Sequence, residues 1–227
     1  MSLQERRRQR GVTLIELLVA IVIMGVLSTM IIGSWIALTD AYSSTSRANR
    51  QRDAANFAIA RMAREIRDAQ KLTGAGGEAI VMARADEIRF YSTFNTGTAA
   101  DPTARPRLTR FILRETDPTS HVATVYRELA GDDGAFDAVP GGDDVSTVLV
   151  RDVVDVRSLT DLFVYSGINS TTGVMYQSVE STATPVLMPA SRVQTVRITL
   201  HVDLNPGKSP NYMDISTTVE PRNMRHL

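Results

Sequence analysis

Residues 10–18 read RGVTLIELL, and the apolar run that they open continues to Leu38 with Glu16 as its one charge. An ionisable side chain inside a membrane-length segment costs roughly 2.5–3.5 kcal/mol on insertion scales, so it marks function by default. Leu17–Thr39 carries no charged residue, and about 20 apolar residues cross a bilayer as one helix. Glu16 therefore lies one helical turn inside a spanning segment, five residues past a Gly that follows arginines.

The flanks orient the span. Arg6, Arg7, Arg8 and Arg10 stand against Glu5 in the short polar stretch before it, and basic residues stay on the cytoplasmic side. Everything after Asp40 is then expected outside the cytoplasm. Arg47, Arg50 and Arg52 near the other end oppose this orientation; the leader is favoured because its arginines abut the membrane and the first span usually sets topology. A cleaved secretory signal has a 7–15-residue apolar core and an A-x-A-like site. This run is longer, lacks that site and lacks the remainder of a twin-arginine signal.

Composition adds exclusions. The 227-residue chain has a formal net charge of zero, which gives no reason to expect a nucleic-acid partner. With no cysteine, disulfides, thiolate catalysis and thiolate metal sites are all absent.

Helical character continues past the membrane. Ala41–Leu72 has neither Pro nor Gly, and Ala55, Ile59, Met62, Ile66 and Ala69 recur at the 3–4 spacing of a core-facing stripe. Arg61, Arg64, Arg67 and Asp68 fall on the polar side, a solvated face rather than a track for DNA. A helix from Val12 to about Leu72 would be on the order of 90 Å long, with Gly74, Gly76 and Gly77 stopping it. Short β-like runs divided by turns follow: 79–83, 87–94, 108–114, 122–129, 147–150, 159–165, 193–204 and 213–219. Val196, Ile198, Leu200 and Val202 alternate with Arg197, Thr199, His201 and Asp203, as in an antiparallel strand with one face covered. The expected fold class is α+β, a long N-terminal helix laid on an antiparallel sheet.

RGVTLIELLVAIVIMGVLSTMII resembles the N-terminus of the type IV pilins and type II secretion pseudopilins. The resemblance covers roughly the first 30 residues: a basic residue, Gly, a four-residue gap, Glu and a long apolar run. It implies cleavage by a prepilin peptidase between Gly11 and Val12, N-methylation of Val12, a leader basic residue at Arg10, and Glu16 as the acid that pairs with a neighbouring subunit's N-terminal amine. Residues 1–11 are then leader, 12–40 the transmembrane assembly helix, 41–73 its amphipathic continuation and 74–227 a β-rich extracytoplasmic head. The family more often has Phe or Met where Val12 stands, and many major pilins carry a mid-span Pro that is missing here. The strand–turn–strand tail ending EPRN (Glu220–Asn223) and the size of the head resemble minor pseudopilins of the J type and minor pilins of the W type. The partners implied are other pilins or pseudopilins, the peptidase, and an inner-membrane assembly platform with its ATPase. The chain has no Walker A loop of its own.

No enzyme is expected. His121, His201 and His226 are the only histidines, none in an HExxH or beside a nucleophile elbow. No cofactor is expected either. Asp132, Asp133, Asp137, Asp143 and Asp144 supply oxygen ligands of the kind calcium takes, and some pseudopilins bind it. Their spacing does not fit an EF-hand, and a solvated turn rich in Asp and Gly is the plainer reading. The alternative to a filament subunit is a membrane-anchored binding or sensory domain with an uncleaved anchor, in which Glu16 snorkels to the interface.

Overall fold

In the computed structural model, residues 12–71, 78–93, 106–117, 122–131, 135–136, 144–154, 161–168, 175–177, 193–204 and 212–222 are described. The chain divides into two compact units, Met1–Ser46 and Arg47–Leu227. Helix α1, Leu14–Arg67, supplies the described part of the first and opens the second.

Within the first unit, every described residue from Val12 to Tyr42 is exposed, including Leu17, Ile21, Val22 and Trp35. This stretch is long and apolar enough to cross a membrane. Its hydroxyls are returned to the helix: Thr29 donates to the Val26 carbonyl at 2.7 Å, and Ser34 and Thr39 to the carbonyls of Met30 and Trp35 at 2.9 Å. Such back-bonding satisfies a donor that hydrocarbon leaves without a partner.

In the second unit the expected stripe is the core face of α1. Ala55, Met62, Ile66 and Ala69 are fully buried and Ile59 nearly so, joined by Ala58 and Ala63. Each fully buried side chain of Ile or Met size is worth about 1.5–3 kcal/mol, so this stripe dominates the docking of the helix. The helix is shorter than expected, ending at Arg67 rather than near Leu72. The Asp68 amide is shared between the Arg64 and Glu65 carbonyls, Ala69 bonds Ile66, and the Gln70 amide leaves the helix for the Tyr91 carbonyl at 2.9 Å. A sheet carbonyl thus competes successfully for the last amide, ahead of the glycines.

The sheet is antiparallel throughout its described pairings. Strands β1 (Ile80–Ala83), β2 (Glu87–Ser92), β3 (Arg107–Asp117), β4 (Val122–Leu129) and β5 (Val145–Val154) form a meander. Strands β6 (Phe163–Ile168), β7 (Met175–Gln177), β8 (Thr195–Asp203) and β9 (Tyr212–Val219) complete it. β8 joins the two parts. One edge pairs with β6 through residues 195–198 and with β5 at Val202, and the other pairs with β9 along its length. The α+β class is as expected, and so are the buried Val196, Ile198, Leu200 and Val202 of β8. Phe90 and Phe111 meet on the helix side with ring centroids 5.5 Å apart. Expectation and structure differ at β7, whose three residues carried no usable signal, at β5, which extends beyond 147–150 at both ends, and at β6, which runs Phe163–Ile168 where 159–165 was expected.

Charges lie inside this core. The Arg127 Nε on β4 donates to both Glu65 oxygens at 2.9 and 2.7 Å, and Arg61 donates to Glu65 at 3.0 Å. Glu65 is fully buried and Arg127 nearly so. Arg61, expected on the polar side, is half-buried as a result, while Arg64 and Arg67 are exposed as expected. On the opposite sheet face, Arg110 lies between Glu128 (2.7 Å) and Glu87 (3.7 Å), and Arg114 reaches Glu128 at 2.7 Å.

Candidate functional site

The local sequence at the start of α1 is T-L-I-E, Thr13 to Glu16. Thr13 precedes the helix, and its carbonyl accepts the first intrahelical bond, from the Leu17 amide at 3.1 Å. Its hydroxyl oxygen accepts the Glu16 amide at 3.3 Å. In return the Glu16 carboxylate accepts the Thr13 amide at 2.9 Å and the Thr13 hydroxyl at 3.0 Å. This is a reciprocal capping box: it satisfies two of the donors that a helix start leaves open and sets negative charge against the positive end of the dipole.

Glu16 therefore has two chemical capacities. Within its own chain it closes the helix start. Towards a cation it presents a carboxylate whose present partners are a neutral amide and a neutral hydroxyl, both weaker than an ammonium. Val12 is exposed immediately before the cap, four residues from Glu16. Arg10 and Gly11 lie outside the described residues. Thr13 is the functional residue that the sequence reading passed over, although the T-x-x-E spacing ahead of an apolar run was its signal.

Thr13→Val keeps the β-branched shape and removes the hydroxyl. It is expected to cost about 1 kcal/mol of cap stability. Faster amide hydrogen exchange confined to Leu14–Leu17, measured in detergent, checks this; exchange unchanged there would show that the cap contributes nothing.

The aspartates separate on inspection. Asp132, Asp133, Asp137 and Asp143 lie outside the described residues. Asp144 accepts the Gly131 amide at 3.0 Å. Phe136 lies over the Arg110 guanidinium, 4.2 Å from it to the ring centroid, a cation–π contact. Among the described residues no group of His, Cys, Asp and Glu side chains is arranged to hold a metal ion.

Of the histidines, His121 and His226 lie outside the described residues. His201 bonds Asp214, its register partner on β9.

An exposed apolar helix with an acid in its capped first turn continues into an α+β unit. Residues 6–32 match the family model described as the prokaryotic N-terminal methylation motif. This match supports the likeness to type IV pilins and pseudopilins, and with the long apolar helix it supports anchoring of the chain in the membrane at its N-terminus. No curated protein matches the chain.

Proposed function

We propose that this chain is a minor pilin or pseudopilin, cut by a prepilin peptidase between Gly11 and Val12 and assembled through α1 into a type IV pilus or a secretion or competence pseudopilus, near its tip. The methylation motif at residues 6–32 carries the reading, and Glu16 in the first turn of α1 supplies its chemistry. Hydrolysis of the Gly11–Val12 peptide bond leaves a carboxylate on the leader and an ammonium on Val12. In the low dielectric of a bilayer two opposite charges attract far more strongly than in water. The carboxylate of an arriving subunit exchanges its Thr13 partners for the ammonium of the subunit already in the filament, which selects one axial offset. Before assembly the peptidase methylates the Val12 amine, which loses a proton as it takes the methyl group from a sulfonium methyl donor and regains a positive charge on protonation. The leader stays cytoplasmic and the head outside, as the arginines before the span favour. Other filament subunits, the assembly platform and its ATPase are the partners.

Mass spectrometry of the N-terminal peptide tests this. In a host with an active prepilin peptidase the protein is expected to begin at Val12 and to carry one added methyl group. A mature chain beginning at Met1 in that host would overturn the proposal.

A further inference from the structure

We propose that Trp35 sets the depth of α1 in the bilayer, its indole N–H donating to lipid ester carbonyls at the C-terminal boundary of the span. The inference rests on anchoring of the chain by α1, and not on cleavage or assembly. Trp35 is the one tryptophan of the chain. It lies within the first compact unit, on the apolar stretch of α1, and is 70% exposed.

An unmet donor points to that partner. Polar groups in hydrocarbon have to be satisfied within the protein, and Thr29, Ser34 and Thr39 are, each donating to a carbonyl of its own helix. An indole is too long and too rigid to bend back in this way, and among the described residues the Trp35 N–H has no partner. Holding that donor in hydrocarbon would cost the desolvation of an unpaired polar group. At the interface the cost disappears, because the ring keeps apolar surroundings while the N–H meets an acceptor.

Chain length supports the same boundary from both directions. Glu16 lies 19 residues before Trp35 on one continuous helix, about 28 Å at 1.5 Å per residue, against roughly 30 Å of hydrocarbon. Asp40 lies five residues past Trp35, about 7.5 Å further, within a headgroup layer roughly 5–8 Å deep. With the boundary at Trp35 both carboxylates therefore reach polar surroundings, and the span is centred near Val26. With the boundary at Asp40 the indole N–H would be drawn into hydrocarbon, and the centre would move towards Met30.

A single tryptophan and the absence of cysteine make the proposal testable on the full chain in phosphatidylcholine vesicles. Tryptophan emission is expected to be lost most with bromines near the glycerol end of the acyl chains, and least with bromines near their methyl ends. Greatest loss with the methyl-end bromines overturns the proposal. So does emission that no brominated lipid lowers but aqueous acrylamide quenches. Spin labels on Val26→Cys and on Met30→Cys test whether Trp35 sets the depth or merely tolerates it. Their exposure to oxygen against a water-soluble nickel chelate reads depth, and the label at Val26→Cys is expected to be deeper by about 6 Å. Adding Trp35→Leu lets the apolar run slide towards Asp40, so that difference is expected to shrink or reverse. A difference unchanged by Trp35→Leu, or a deeper label at Met30→Cys while Trp35 is present, overturns the depth-setting role. Release of the chain from the vesicles on carbonate washing would refute the anchoring itself, a separate readout.

Discussion

Glu16→Ala subunits are expected to remain in the membrane at undiminished abundance while entering filaments about 100-fold less. Truncating one partner of a buried, hydrogen-bonded charge pair costs about 2–5 kcal/mol, and each 1.4 kcal/mol is about tenfold. Membrane insertion cannot explain such a loss. Removing an intramembrane carboxylate makes insertion easier, by roughly 2.5–3.5 kcal/mol. Glu16→Gln separates the two capacities of this residue. A glutamine oxygen still accepts the Thr13 amide and hydroxyl, so the cap survives, but the attraction to an ammonium is gone. Gln is therefore expected to be nearly as defective as Ala, and Asp, which keeps the charge, to be the mildest change. The measurement is the fraction of each variant in sheared filaments against its amount in membranes. Normal incorporation of Glu16→Gln would show that charge pairing plays no part.

The second large effect lies in the head. Arg127→Met leaves the Glu65 carboxylate buried with Arg61 as its remaining ion-pair partner, and breaking a buried pair costs about 3–5 kcal/mol. In a domain of this size about 1 kcal/mol shifts the melting temperature by roughly 2–4 °C, so a fall of about 10 °C is expected. Thermal unfolding of the full chain in detergent, followed by the circular dichroism of the sheet, reads it. Combining Arg127→Met with Glu65→Leu is expected to restore most of that loss, because an apolar pair of similar volume carries no desolvation cost. Wild-type melting of Arg127→Met alone would show that the pair is incidental. Substantial rescue by the double change would assign the pair to placing α1 on the sheet, since the stripe of Ala and Ile offers no directional contact of its own.

Part of this molecule was legible before any coordinates. The buried stripe of α1 and the alternation of β8 were read correctly, because helix and strand periods express which face meets the core. The Glu65–Arg127 pair was not. Glu65 falls beside Met62 and Ile66 in a run rich in charges, and its partner is 62 residues away. Arg47 and Arg50 stood out in the sequence as charges against the favoured orientation of the span. The Gln51–Asp152 bond spans 101 residues, and no local pattern encodes it.

The order of residues in the first turn, a hydroxyl three positions ahead of an acid at the head of an apolar run, was enough by itself to dictate a capped membrane helix and the chemistry of its start. Such features depend on neighbours within four positions, where backbone geometry leaves few alternatives. Tertiary structure alone decided where α1 ends and which charges are buried. Those outcomes are set by competition among groups remote in sequence: a sheet carbonyl takes the Gln70 amide, and a strand guanidinium neutralises a helix carboxylate. Only folding brings such competitors within reach of one another.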